Sequence, residues 1–349
     1  MTGPIEPTKF AKMGRKLPVI DVRSPGEYRQ GHITGAFNIP LFDDAERAAV
    51  GTLYTRQGKD KAIIKGLELA IPRTKEYVTQ LKKVVSSREI LIHCWRGGMR
   101  SASMAGLFSQ AGYQVHVLEG GYKAWRRMVR ATLSAPAAVV VLGGPTGSGK
   151  TVFLKELALL GEQVIDLEAL AAHKGSVFGH LGQQSQPTNE QFENDLFHRW
   201  QHLDPLRRIW LEDESRMIGK VTLPDPLYQK IATSPLIRLI VDHDERIRRL
   251  VDEYAGFDKG LLSEALHRLN LRLGGSRLNE ALVALENNRF DRVAAIVLAY
   301  YDKAYQFSLD RRPEQKIHSL RLSGGNLKEQ GALILEFTKK REKDEAGLS

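Results

Sequence analysis

Cysteine is nearly absent. The 349-residue chain holds one, Cys94. An internal disulfide is therefore excluded, and so is a zinc site built on several thiolates. Long apolar runs are missing too: no stretch reaches the roughly 18 residues that a membrane span needs. The opening MTGPIEPTKFAKMGRK lacks the apolar core of a secretory signal. The cytoplasm is the expected compartment, and no membrane partner is expected. There is no tandem repeat and no low-complexity tract. Only the last dozen residues, with KKREKDEAG, read as a frayed tail.

Charge is present in excess and unevenly placed. The net charge is +10. Up to Leu133 there are 22 Lys+Arg against 11 Asp+Glu; from Ser134 onward there are 29 against 30. The whole excess belongs to the first part. Such asymmetry suits a surface that faces a polyanion, although simple solubility would also produce it. The basic candidates are Lys82, Lys83, Lys123, Arg126, Arg127 and Arg130.

The chain reads as α/β in two parts that meet near Ser134-Ala135-Pro136. Residues 1–133 form one domain and residues 137–349 the other, the latter ending in a helical part. In the first, PVIDVR, EILIHC and QVHVLEG read as short buried strands, with helical patterns such as RTKEYVTQLKKVV and RSASMAGLFSQAG between them. Alternation of this kind implies a largely parallel sheet, with functional loops at the carboxyl ends of its strands.

Cys94 sits at such an end, directly after EILIH. It opens the segment CWRGGMRS, which leads into a helix. Gly97 and Gly98 let the backbone fold tightly and turn N–H groups inward, and the helix start adds free N–H groups and the positive end of its dipole. Arg96 and Arg100 add charge, and Trp95, Gly97 and Gly98 are candidates for lining the substrate site. The pattern predicts an anion cradle around a reactive thiolate.

The upstream segment DVRSPGEYRQGHITGAFNIP, Asp21 to Pro40, together with Cys94, resembles the rhodanese family. The resemblance implies a persulfide-type role for Cys94. The Cys94–Arg100 loop, CWRGGMR, is seven residues long where rhodaneses usually have six. A Cys-x5-Arg loop is also similar to that of dual-specificity cysteine phosphatases. The loop alone leaves sulfur or selenium transfer and phosphate-ester hydrolysis open.

The second part opens with AAVVVL as a strand, GGPTGSGK as a glycine-rich turn and TVFLKELALLG as a helix. Gly144, Gly147, Gly149, Lys150 and Thr151 satisfy G-x-x-x-x-G-K-[ST] in the strand–loop–helix setting of a P-loop. The loop N–H groups suit a di- or triphosphate, Lys150 its charge, and Thr151 a Mg²⁺ ion. RRIWLEDES reads as a strand ending in acids, with Asp213 the favoured second Mg²⁺ partner and Glu212 close behind. Asp166, Glu168, His173, Lys174 and Ser176 crowd one glycine-punctuated loop, the kind that lines sites. A metal on His173 and His180 is not expected. Arg246, Arg248 and Arg249 read as a solvated helix face that could reach phosphate. The segment after Pro187 reads as a helix, either plain or touching substrate.

In order and spacing, CWRGGMRS, GGPTGSGKT, DLEALAAHKGSVFG and WLEDESRMIG closely resemble the bacterial tRNA 2-selenouridine synthase family. The resemblance implies a rhodanese-like domain followed by a P-loop NTPase-like domain. It implies a transferase acting on tRNA with 2-thiouridine at the wobble position. S-geranylation from geranyl diphosphate would come first, then replacement of the geranylthio group with selenium from selenophosphate. A selenophosphate-supplying enzyme would be a further partner, and the P-loop would serve the prenyl diphosphate rather than, or as well as, ATP. Whether Cys94 carries selenium covalently or assists phosphate release stays open. A rhodanese sulfurtransferase fused to an ATPase or nucleotide kinase is the alternative. A third is a phosphatase-like or silent module with a nucleotide switch.

Overall fold

A computed structural model describes residues 3–346. The chain divides into two compact units. The first is Met1–Ser134 together with Thr188–His198; the second is Ala135–Pro187 together with Arg199–Ser349.

The first unit is built on four parallel strands: β1 (Val19–Asp21), β2 (Phe37–Asn38), β3 (Glu89–His93) and β4 (Gln114–Val117), in the order β2-β1-β3-β4. Asp21 stands opposite His93 in the ladder. Both central strands are buried, with apolar Val19, Ile20, Ile90, Leu91 and Ile92 and also the polar Asp21 and His93 inside. Ile20, Ile90 and Ile92 meet Tyr77 and Leu81 of the helix Thr74–Val84, and Met104 and Phe108 of the helix Met99–Gln110. The basic stretch before the boundary is the helix Gly121–Ser134, which buries Tyr122, Trp125, Val129 and Leu133 on one face.

The segment after Pro187 is the helix Asn189–Trp200, and up to His198 it packs with the first unit. Its side chains find polar partners there. Asn194 Nδ2 donates to Tyr122 Oη (2.7 Å) and to the His32 carbonyl (2.7 Å). Trp125 Nε1 and Arg126 both donate to Asn194 Oδ1, and Arg126 pairs with Glu193. A division into 1–133 and 137–349 therefore leaves this helix on the other side of the boundary from the residues it contacts. A contiguous cut cannot show a helix that returns.

The second unit holds β5 (Val139–Gly143), β6 (Gln163–Ile165), β7 (Ile209–Glu212), β8 (Met217–Ile218), β9 (Val221–Thr222), β10 (Leu236–Ile240) and β11 (Ile317–Arg321). Five form a parallel sheet in the order β11-β10-β5-β7-β6, and β8 pairs antiparallel with β9. The helices Lys259–His267, Gly275–Glu286 and Phe290–Leu309 bury their own cluster of Leu262, Leu266, Ala281, Leu285 and Val297. KKREKDEA is not frayed: it continues the helix Leu327–Ala346, which buries Ile334 and Thr338. Residues 347–349 lie outside the described residues. Among the described residues no helix is long and apolar enough to cross a membrane.

Candidate functional site

In the first unit the sulfur of Cys94 is nearly buried, 3% of the residue being exposed. It lies 3.2 Å from Ser101 Oγ, which in turn donates to the Gly98 carbonyl at 3.0 Å. The loop is held by its neighbour after β4. Tyr122 N donates to the Cys94 carbonyl (2.8 Å) and Lys123 N to the Trp95 carbonyl (3.0 Å). These bonds draw the two carbonyls toward the start of the helix Gly121–Ser134. No backbone N–H from Trp95 to Gly98 has a protein partner among the described residues, so these groups are left to bind an anion. The approach is close enough to require glycine twice. Gly97 has φ +67° and Gly121 φ +58°, and a Cβ at Gly121 would stand 2.3 Å from Gly97 N.

The two arginines part company. Arg96 is exposed in the loop. Arg100 is instead paired with Glu27 at 2.7 Å, and Glu27 also closes the capping box on Ser24. Burial would raise the Glu27 carboxyl, but the Arg100 bond and charge hold it below the ordinary range. Arg100, expected beside the sulfur, thus joins the loop helix to the helix Pro25–Gln30.

Beneath the loop lies a polar group that the sequence reading did not single out. Arg23, fully buried, grips Asp21 through two nitrogens and stacks 3.7 Å from the Tyr122 ring centre. Burial would raise the Asp21 carboxyl; His93 and Arg23 overcome that and hold it low. Burial itself pushes His93 down to about 4. The two residues were visible in DVR and IHC. Their meeting depends on the β1–β3 register.

In the second unit β5 ends in the P-loop and the helix Lys150–Leu159 follows. Gly147 (φ +79°) and Gly149 (φ +86°) are left-handed. The N–H groups of Gly147, Gly149, Lys150 and Thr151 have no protein partner among the described residues. Lys150 Nζ reaches back to the Gly144 carbonyl at 3.2 Å. Arg246 and Arg249 are not a solvated face. Arg246, 5% exposed, donates to the Thr146 carbonyl (2.8 Å), and Arg249 to that of Ser148 (2.7 Å). They tie down the loop's carbonyls, leaving its N–H groups for a ligand. Arg248 alone of the three is solvated, near Glu245.

The acids resolve differently from expectation. Asp213 points to Arg312, an ion pair of 2.7 Å. Glu212 stands by Thr151 instead: Thr151 Oγ1 lies 3.0 Å from Glu168 Oε2 and 3.3 Å from Glu212 Oε1. Alternation along β7 explains the exchange, since successive side chains leave on opposite faces. Glu212 also accepts from the N–H groups of Leu167 and Glu168. Burial, then the charge of Glu168, pushes Glu212 well up, and the same two causes push Glu214 up to about 8. Burial raises Glu168 as well. Thr151 has one hydroxyl hydrogen for two carboxyl groups, and the charge of Lys150 only partly offsets the burial of Glu168 and Glu214. Among the described residues no group of three or more His, Cys, Asp or Glu is arranged to hold a metal by itself. The oxygens of Thr151, Glu212 and Glu168 are hard donors, of the kind that would suit a Mg²⁺ ion.

The remaining candidates are mostly structural. Asp166 caps the short helix Leu167–Leu170 through Ala169 N (2.7 Å). His173 is buried, its Nδ1 without a hydrogen bond, and burial lowers the pKa of its ring. Lys174 pairs with Glu253. Ser176 Oγ accepts from Phe178 N at 3.2 Å.

Sequence comparisons agree with this layout. Residues 6–128 match the rhodanese-like domain, and residues 137–322 match the AAA domain of tRNA 2-selenouridine synthase. A tRNA 2-selenouridine synthase of Shewanella denitrificans is 33% identical over 337 residues, covering 85% of this chain and 90% of that protein. One of Chromohalobacter salexigens is 34% identical over 333 residues, covering 86% and 90%. A rhodanese-related protein of known structure from Thermoplasma volcanium is 20% identical over 36% of this chain and 91% of its own, with a TM-score of 0.24. With two relatives above 30% identity along most of both chains, and a domain match over more than half of this one, the chain belongs to the tRNA 2-selenouridine synthase family.

Proposed function

We propose that this enzyme converts wobble 2-thiouridine in tRNA to 2-selenouridine by way of an S-geranyl intermediate, as a cytoplasmic transferase using geranyl diphosphate and selenophosphate. The observation that carries the reading is the presence of two separate N–H-lined anion loops in one chain, one holding a thiol and the other a lysine. A sulfurtransferase alone needs only the first and an ATPase only the second; a fusion of the two would hold both, and against it stands the likeness to tRNA 2-selenouridine synthases along most of both chains.

In the first step the thiouridine sulfur attacks C1 of geranyl diphosphate. The C1–O bond breaks, the electron pair leaves with diphosphate, and the proton on N3 of the uridine passes to water as the C2=N3 bond forms. Lys150 and the loop N–H groups take up the growing charge. Mg²⁺, when bound, would neutralise more of it, with Thr151, Glu212 and Glu168 as its oxygen ligands on the protein.

In the second step the loop of Trp95–Gly98 holds the phosphate end of selenophosphate. The Cys94 thiolate attacks phosphorus and the P–Se bond breaks. Hydrogen selenide leaves, attacks C2 of the modified uridine and expels geranylthiol, carrying its proton to the departing sulfur. Water then hydrolyses the phosphorylated cysteine. No oxidant is needed, because selenium keeps its oxidation state throughout. A selenide bonded to the cysteine sulfur would need one, which favours phosphate release as the task of Cys94.

The tRNA would meet the basic first unit, where Lys82, Lys83, Lys123 and Arg127 are exposed. Arg126 is withdrawn from that set by Glu193. The test is to incubate the enzyme with 2-thiouridine tRNA and each donor in turn, then digest and weigh the nucleosides. Geranylated uridine with the first donor alone, and selenouridine only after the second, is the expected result. Selenouridine formed with no geranyl donor present would reject the scheme.

A further inference from the structure

The Cys94 loop leans on Tyr122. The main-chain N–H of Tyr122 holds the Cys94 carbonyl, and the next one, of Lys123, holds that of Trp95. The Tyr122 ring lies 5.8 Å from the Trp95 ring, centre to centre, and covers the Arg23 guanidinium at 3.7 Å. A shift of this residue therefore disturbs two main-chain bonds and one side-chain contact of the loop. The unpartnered N–H groups from Trp95 to Gly98 would turn with them.

The far end of the Tyr122 ring is fixed by residues that come much later in the chain. Tyr122 Oη donates to Glu190 Oε1 at 2.9 Å and accepts from Asn194 Nδ2 at 2.7 Å. Glu190 fits because Gly31 leaves room for it: a Cβ there would stand 2.7 Å from Glu190 Cγ. Asn194 is 1% exposed and uses every hydrogen-bonding group it has. Besides Tyr122, its Nδ2 donates to the His32 carbonyl at 2.7 Å, and its Oδ1 accepts from Arg126 at 2.8 Å and Trp125 at 3.3 Å. A buried amide so engaged keeps one orientation, because any rotation would leave a buried group unpaired. Phe192, Leu196 and Phe197 of the same helix already bury apolar surface, so its packing does not call for the polar set.

We propose that Glu190 and Asn194 are positioning residues for the selenium step. Through the Tyr122 hydroxyl they hold the Cys94 loop in the form that presents its N–H groups to the phosphate end of selenophosphate. The inference rests on the reading of a selenophosphate donor at that loop.

The test uses the full-length enzyme and two readouts. One is protection of Cys94 from alkylation by inorganic phosphate, which needs the loop but no turnover. The other is selenouridine formation from geranylated tRNA as selenophosphate is varied, with geranylation as the control. Each variant is assayed at a temperature where its circular dichroism matches the wild type. Tyr122→Phe, Glu190→Ala and Asn194→Ala should each weaken phosphate protection and raise the KM for selenophosphate by about 10-fold, the worth of one buried hydrogen bond. Geranylation should be unchanged. Glu190→Gln keeps an acceptor and should stay within about 2-fold of wild type. Tyr122→Phe combined with Glu190→Ala should lose no more than the worse single variant, since both remove the same contact. Wild-type protection and KM in the single variants would overturn the proposal. So would an equal loss of geranylation and selenation, the mark of a helix that only supports the fold, and so would a wild-type thiol that phosphate does not protect. If the wild type makes no selenouridine from geranylated tRNA, the donor reading fails, and phosphate protection still decides the positioning. Should Glu190→Ala and Asn194→Ala not fold, Tyr122→Phe decides alone: weakened protection supports the proposal and wild-type protection overturns it.

Discussion

The main-chain N–H of Tyr122 donates to the carbonyl of Cys94 at 2.8 Å. One residue back, Gly121 leaves no room for a Cβ against that same carbonyl, 2.5 Å away. The orientation of the cysteine loop is therefore set by a segment that carries no reactive group. Gly121→Ala should cost on the order of 1–3 kcal/mol of stability, from the left-handed strain and the clash. It should also slow alkylation or phosphorylation of Cys94 while inorganic diphosphate binding stays at the wild-type value. Thermal denaturation and a thiol-labelling rate check the two halves. Wild-type labelling in a destabilised variant would separate the loop's geometry from its support.

Cys94→Ser should abolish selenouridine formation and spare geranylation, measured by nucleoside mass after each donor. Ser101 beside it offers no substitute, since its hydroxyl already donates to Gly98. Selenouridine at wild-type levels would remove the cysteine from the mechanism.

Glu212 and Asp213, adjacent in sequence, should fail in different ways. Glu212→Gln should weaken the Mg²⁺ dependence of geranylation, seen as a higher metal concentration for half-maximal rate. Asp213→Asn should instead leave Arg312 unpaired in a site where both side chains are about nine-tenths buried. Loss of one member of a buried pair costs about 3–5 kcal/mol. Its metal response should stay unchanged at temperatures where it remains folded. Equal metal responses from the two variants would contradict the assignment of Glu212 to the Thr151 site.

The acid cluster predicts a pH dependence. Glu214 is raised to about 8 by burial and by Glu168. A carboxyl raised on folding holds its proton more tightly in the folded state. Its stabilisation is whole below the ordinary glutamate range and is lost as pH rises through about 8. The apo enzyme should melt at falling temperature between about pH 5 and pH 8. Glu214→Gln should flatten that slope relative to wild type. Parallel slopes for the two proteins would place the titration elsewhere.

The affinity of tRNA should fall steeply with salt, with a logarithmic slope near −0.7 for each single-stranded phosphate neutralised. Lys82→Ala with Lys83→Ala should reduce the slope. Arg126→Ala should act mainly on stability, because its guanidinium is committed to Asn194 and Glu193.

Local chemistry made much of this legible. Gly144 to Thr151 between a strand and a helix, and Cys94 at the end of EILIH, declare themselves because their function lies in consecutive residues. The pairings that decide roles do not. Glu212 rather than Asp213 faces Thr151 because of the pleat of β7, which a sequence gives only if the strand's phase is known. Arg100 belongs to Glu27 across a long separation. Arg246 looked like a solvated cation because RIRRL has the charge density of an exposed helix. Its burial follows from Thr146 and Asp302, both far away in the chain.

The helix Asn189–Trp200 has a consequence for how the protein is made. Tyr122, Trp125 and Arg126 wait for Glu190, Glu193 and Asn194 to complete their surroundings. On the ribosome those partners are synthesised only after β5, the P-loop and β6. The thiol-bearing half thus lacks these partners when its own last strand emerges, unlike a domain made of one contiguous segment. Its completion is deferred until the P-loop half is partly in existence, so a nascent chain arrested before Asn189 would carry the cysteine without the floor beneath it.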